Sequence, residues 1–185
     1  MPILITAFSS LLLAWLRGAP PWELGALRLR LLPLPLISFA IQLAVFVRLE
    51  ALFAAVAFPL HLLSLALLAV FLAANARYRA LWIVGLGLLL NGAVIGANGG
   101  YMPVRVADAL RIGFAESAAI LERDGTFQKS TLLKADTPLW FLGDVIHLPL
   151  PYGPDRLISA GDVLLAVGAF LFIQEALVSG RRRAP

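Results

Sequence analysis

Cysteine is absent from the 185-residue chain, which excludes disulfides, thiolate metal sites and cysteine nucleophiles. Charge is scarce as well: Asp, Glu, Lys and Arg make up 14% of the residues, and there are only two histidines. A Walker-type phosphate loop, a Gly-x-Ser-x-Gly nucleophile elbow and a His-Glu-x-x-His zinc helix are all missing. Nucleotide-driven transport and soluble-style hydrolysis are therefore not expected from this chain alone. No internal repeat is evident, so the duplicated architecture of many carriers is not expected either.

Apolar residues are what the chain has in excess. They make up 61% of it at a mean hydropathy of +0.89, more than a soluble domain of this size can bury. Charge-free stretches run from Met1 to Leu16, Leu31 to Val47, Ala51 to Ala76 and Ala80 to Val104, and a fifth, Leu157 to Val178, is interrupted by Asp162 and Glu175. The fold class expected is all-α: a polytopic membrane helix bundle of about five transmembrane helices (2–16, 31–47, 51–74, 80–98 and 158–178) with an amphipathic outer segment, 99–157, between the fourth and fifth. Residues 1–185 are read as a single integral membrane domain. Arg17 follows the first apolar run instead of preceding it, so that run is read as a retained helix and not a secretory signal. Its shortness asks for local bilayer thinning or for snorkelling by Arg17.

The arginines set an orientation. Arg17, Arg28 and Arg30 follow the first run, Arg77 and Arg79 separate the third from the fourth, and Arg181, Arg182 and Arg183 close the chain. An odd number of spans puts all of these on one side, whereas the turn before the third run carries only Arg48 with Glu50, and the long segment balances six basic residues against seven acidic ones. The positive-inside rule then places the N-terminus outside and the C-terminus in the cytoplasm of a bacterial cell with a multi-pass inner-membrane protein. Trp15, Trp22, Tyr78 and Trp82 fall at the inner boundary, and Tyr101, Trp140 and Tyr152 near the outer one, as anchors. A net charge of +4 spread over short segments is explained by topology and anionic lipid, so the bilayer and a membrane-protein partner are expected and nucleic acid is not.

Ala80 to Ala97 ends in Asn98-Gly99-Gly100-Tyr101-Met102-Pro103-Val104. Asn91 lies seven positions before Asn98, so both amides share one helical stripe that is costly against lipid. Gly92, Gly96 and Gly100 recur at intervals of four and predict close helix packing, while Gly161 and Gly168 give the fifth helix a small face that should meet the fourth. Val106, Leu110, Phe114, Ala118 and Leu121 form an apolar stripe, predicting an amphipathic helix that Asp124-Gly125 ends. The proline-broken stretch from Pro138 to Pro151 should cover the helices or dip into the interface. Ser159 and Asp162 suit a helix cap, and Asp144 suits a turn. His61 should bond locally near Pro59, and Gln42 across to another helix. With Asp144 three residues earlier and Asp162 near, His147 completes a chemically feasible set of two carboxylates and one imidazole, but the spacing is too generic to assign a metal or any other cofactor.

The elements Leu90-Asn91, Asn98 to Val104, Leu142-Gly143-Asp144-Val145 and Ser159-Ala160-Gly161-Asp162-Val163 resemble the motifs of an uncharacterised family of small bacterial membrane proteins, a domain of unknown function. That resemblance implies a fold and topology and brings no activity. The polar pocket expected is Asn91, Asn98, Asp144, Asp162 and His147. Because caps, turns and interhelical bonds account for most of these residues, the sequence favours a non-catalytic membrane component whose outer cap and polar pocket bind a ligand or a partner protein. An outward-facing intramembrane enzyme using Asp144, Asp162 or His147, and a small-solute carrier or substrate-binding subunit, are the alternatives.

Overall fold

Prolines open one helix and glycines close another in the places their backbones require. Pro33 and Pro35 occupy the first turn of a helix, where a missing N–H costs nothing, and Gly99 and Gly100 adopt φ of +65° and +98° just after the end of a second one, as left-handed helix termini favour. The computed structural model describes residues 2–26, 29–46, 57–150 and 155–181. Residues 51–56 of the third expected helix, Arg28, Arg48, Glu50, Pro151, Tyr152, Arg182 and Arg183 lie outside the described residues.

The chain is mostly helical. Among the described residues four apolar α-helices come first: α1 (Pro2–Leu16), α2 (Pro33–Phe46), α3 (Ala57–Ala74) and α4 (Ala80–Ala97). The outer segment contains β1 (Met102–Val104), α5 (Val106–Arg111), α6 (Ala115–Asp124), β2 (Thr126–Phe127), β3 (Ser130–Leu132), a 3₁₀ turn at Trp140–Leu142, β4 (Ile146–Leu148) and β5 (Arg156–Ile158). Helix α7 (Ala160–Arg181) follows. Among the described residues, two helical stretches, Ala80–Ala97 and Ala160–Leu177, are long and apolar enough to cross a membrane, while α1, α2 and α3 contribute the shorter apolar stretches Ile5–Leu16, Pro33–Gln42 and Pro59–Ala74.

The all-α expectation needs correction in the outer segment. Strand β1 pairs parallel with β3, β3 pairs antiparallel with β2, and β4 pairs antiparallel with β5. These strands are two or three residues long, too short to display an alternating pattern in the sequence. The single amphipathic helix expected from Val106 to Leu121 is two helices, because Gly113 takes φ +88° between α5 and α6. The stripe holds in part: Ala118 and Leu121 join Val104 and Ala109 in a small core with Val106, Phe127, Leu132 and Leu157 against it, whereas Leu110 is 51% exposed, because the break at Gly113 changes the face that α5 turns inward.

The helices pack in a different manner. Helix α7 lies between α4 and α1, and α2 pairs with α3. Buried polar groups tie these contacts. The Ser10 hydroxyl donates to the Phe170 carbonyl at 2.8 Å, and Gln174 Nε2 donates to the Ser10 carbonyl at 2.7 Å. Between α2 and α3, Ser38 donates to the Ser64 carbonyl at 2.9 Å, and Gln42 reaches Ser64 Oγ at 3.3 Å, as expected of Gln42. Ser10, Ser38, Ser64 and Asn75 are fully enclosed, whereas Phe8, Leu16, Leu36 and Leu89 are each about two-thirds exposed or more, from 66% to 74%.

Candidate functional site

Helices α4 and α7 run antiparallel along a seam of small residues. Glycines at 161 and 168 and the carboxylate at 175 recur every seven residues, so they share one face of α7. Opposite them on α4 stand Ala80, Val84, Gly87 and Asn91. A Cβ on Gly161 would overlap the Asn91 amide and lie 2.7 Å from the Gly87 carbonyl oxygen; one on Gly87 would lie 2.7 Å from the Gly161 carbonyl; one on Gly168 would lie 2.7 Å from Val84 N. The backbones therefore touch, which only glycine permits here.

At the Asn91 end of this seam the polar groups close a ring. Ser159 precedes α7, and its Oγ accepts the Asp162 N–H at 2.9 Å while Asp162 Oδ2 accepts the Ser159 N–H at 3.4 Å. This reciprocal pattern is a capping box, and the acid in the first turn also complements the helix dipole. Asn91 completes the ring across the helix pair: its Nδ2 donates to Asp162 Oδ1 at 2.9 Å, and its Oδ1 accepts from Ser159 Oγ at 2.8 Å. The stripe shared by Asn91 and Asn98 does not lead both amides into one pocket. Asn98 Nδ2 instead donates to the Val94 carbonyl at 2.8 Å and the Pro138 carbonyl at 3.0 Å, fastening the proline-rich segment to the end of α4.

Asp144 sits beside this ring. Its backbone N–H donates to the Pro103 carbonyl at 2.9 Å, and it bridges Val104 in parallel fashion. A Cβ on the preceding Gly143 would stand 2.6 Å from that same carbonyl. Asp144 Oδ1 is buried without a hydrogen-bond partner. Burial raises the carboxyl to about 7, the charge of Asp162 adds to the rise, and Lys129 opposes it. His147 does not complete a triad with these acids: its Nε2 meets Asp155 Oδ2 at 2.7 Å on the exposed edge of β4. That hydrogen bond, with the Leu150 N–H, holds the Asp155 carboxyl below its ordinary range. Among the described residues no group of three or more His, Asp or Glu is placed to hold a metal ion.

The glycine expectations divide. Gly92 faces Leu65 of α3, where a Cβ would meet Cδ1 at 3.2 Å, and Gly96 has nothing within 4 Å. A tight contact at Gly96 is thus corrected: the close approach falls at Gly87, four residues before Asn91, and Gly100 serves the turn after α4. Contact between the fourth and fifth expected helices is met through Gly161 and Gly168. Glu175, read only as an interruption of an apolar run, has a structural role that the sequence analysis missed. Its Oε1 and Oε2 accept the N–H groups of Arg79 and Ala80 at 3.1 and 3.0 Å, capping α4, which has no side-chain cap of its own. Its seven-residue spacing from Gly161 and Gly168 was the available signal.

No solved structure matches the chain. An uncharacterized protein of Thermotoga maritima is 31% identical over 110 residues, 60% of this chain and 60% of that protein, so the match spans about three-fifths of the relative's length. Residues 26–174, which include α2 to α6 and all of the polar ring, match a family of unknown function, and the chain belongs to that family, DUF5317.

Proposed function

We propose that this protein is a non-catalytic, multi-pass component of a bacterial inner membrane, with five spans, an outer N-terminus and a cytoplasmic C-terminus, whose outer cap binds a ligand or a partner protein. The observation that carries the reading is the closed ring of Asn91, Ser159 and Asp162. Its polar groups satisfy one another across two helices, as interhelical glue does, and leave no nucleophile beside a free base. Enclosed serines under an exposed apolar surface support the membrane setting, because lipid rewards that inversion and water penalises it. Leu139, Trp140 and Phe141, exposed by 37%, 48% and 55%, give the cap an apolar surface for a partner or for the interface.

Because the chain has no cysteine, single cysteines test the topology directly. An impermeant maleimide should label Lys129→Cys in intact cells and Arg79→Cys only after permeabilisation; the reverse pattern would overturn the orientation. Co-purification from native membranes tests the role. A bound partner should be lost when Trp140 and Phe141 become Ser and kept in Asn98→Gln.

One observation favours the enzyme alternative. Asp144, which burial holds near 7 beside a second carboxylate, has the property a general acid needs near neutrality. Turnover abolished by Asp144→Asn in a folded protein would move the assignment to that reading.

A further inference from the structure

Helices α3 and α4 are joined by a short turn and then diverge. Between them lies a groove of about 770 Å³, with Leu65, Ala69, Leu72, Gly85, Leu89 and Gly92 among its walls and no charged side chain in its lining. Its volume falls within the roughly 300–1,000 Å³ of ordinary small-molecule sites. Gly85 and Gly92 hollow the α4 wall, since a Cβ at either would reach toward Leu72 or Leu65 of the opposite helix.

The end of the groove nearest the α3–α4 turn has a different chemistry. Ala76 and Trp82 line it, and the Trp82 ring is 67% exposed while its indole N–H donates to the Ala76 carbonyl at 3.1 Å. Arg77 follows Ala76 directly, but its guanidinium donates to the Tyr78 hydroxyl at 3.1 Å and lies 4.8 Å from that ring's centre, and the ring meets Phe172 of α7 edge-on. Arg79 follows next. A third arginine is brought in from the chain before α2, because the fully buried Asn75 amide accepts the Arg30 N–H at 2.9 Å and donates to the Arg30 carbonyl at 2.8 Å. All three arginines are exposed. Glu175, the acid bonded at this turn, has both oxygens engaged by backbone N–H groups.

We infer that this groove and the exposed Arg30 and Arg79 beside its turn end form one binding site for an anionic glycerophospholipid, its acyl chain between α3 and α4 and its phosphate at these arginines. The inference rests on the membrane reading above. An acyl chain needs no hydrogen bonds from its walls, which suits a lining without charge, and guanidinium groups match phosphate oxygens in a planar, two-pronged way. Tryptophan at the junction suits the headgroup level. An apolar helix from a partner or a second copy would fill the groove without using the arginines, so the cluster selects the lipid.

The test uses the full chain purified in detergent from membranes containing phosphatidylglycerol and phosphatidylethanolamine, with co-purified lipid read by native mass spectrometry. Wild type should retain phosphatidylglycerol at least fivefold over its share of the membrane. Arg30→Gln with Arg79→Gln should abolish that preference, and Ala69→Phe, which fills the groove, should abolish retention while the purified protein still unfolds cooperatively. Equal retention of both lipids, an unaffected Ala69→Phe variant, or a protein dimer in place of the lipid-bound monomer would each overturn the site. Carbonate washing of the membranes separates the two readings. A chain that resists the wash but retains no anionic lipid defeats the lipid site alone, whereas a chain released by the wash defeats the membrane assignment beneath it.

Discussion

The helices and the outer cap are built on opposite plans. In the cap, Val104, Ala109, Ala118 and Leu121 are enclosed, and Arg105, Arg111, Glu122 and Arg123 stand at the surface, the arrangement expected of any small domain in water. Among the helices, the enclosed residues include Ser10, Ser38, Ser64 and Asn75, and the exposed ones Phe8, Leu36, Phe39 and Leu89. One chain thus carries two surface patterns, and the change occurs within a few residues of Asn98, after α4, and of Ser159, before α7. The ring that joins Asn91 to Ser159 and Asp162 lies at that junction. Its internal bonding suits that position, since apolar neighbours on either side would supply no others.

The most damaging change to the helical half is Gly161→Leu, whose side chain must enter the space of the Asn91 amide and the Gly87 carbonyl. A loss of about 3 kcal/mol or more is expected, visible as collapse of the thermal transition in detergent; an unchanged transition would break the assignment of the seam. In the cap, Leu121→Ala should cost about 2–3 kcal/mol by leaving a void in a core with few other members. Limited proteolysis should then cut the 99–157 segment while α4 and α7 remain intact, and simultaneous loss of both halves would show that they do not behave separately. Asp144 tests the junction. Its folded carboxyl titrates near 7, above the ordinary 3.8, so the folded state holds the proton between those values and stability falls as pH rises through them. Melting should weaken from about pH 5 to about pH 8 by roughly 2 kcal/mol, and Asp144→Asn should flatten that slope; a variant with the wild-type slope would assign the dependence elsewhere. The smallest effect belongs to Gly96→Ala. With open space around it, the change should raise stability by up to about 0.5–1 kcal/mol through helix propensity, and a marked loss would restore the close contact that the sequence pattern suggested.

The two halves also differ in how far the sequence reveals them. Apolar runs are long-range signals, so the helices α1 to α4 and α7, the end of α4 at Asn98 and the pairing of α4 with α7 through Gly161 and Gly168 were legible. Register was not, because Gly85, Gly87, Gly92 and Gly96 offer several small faces on α4, and only the facing helix decides that Gly87 meets Gly161. In the cap the stripe marked Val106, Ala118 and Leu121 as core but missed Ala109 in favour of the exposed Leu110, since one glycine divided the helix, and strands of two or three residues leave no periodic trace. Of the candidate site, Ser159 and Asp162 were legible as a cap from their spacing. Asn91 as the group that crosses to them was visible only as an amide needing company. His147 was drawn toward Asp144 by proximity in sequence, whereas in space Asp155 takes its imidazole.

Glu175 has a consequence for how the molecule is made. The carboxylate that caps α4 lies 96 residues beyond Arg79, the first amide it binds, so a ribosome moving at roughly 5–20 residues per second adds Arg79 some 5–20 seconds before it adds Glu175. During that interval the leading turn of α4 holds unpartnered N–H groups, and the cap segment is synthesised and begins to fold before α7 arrives. The arrival of α7 then closes both ends together, Glu175 on the start of α4 and the Ser159–Asp162 box on Asn91. A chain stopped before residue 175 therefore lacks the acid that caps α4, and a complete one supplies it as α7 docks.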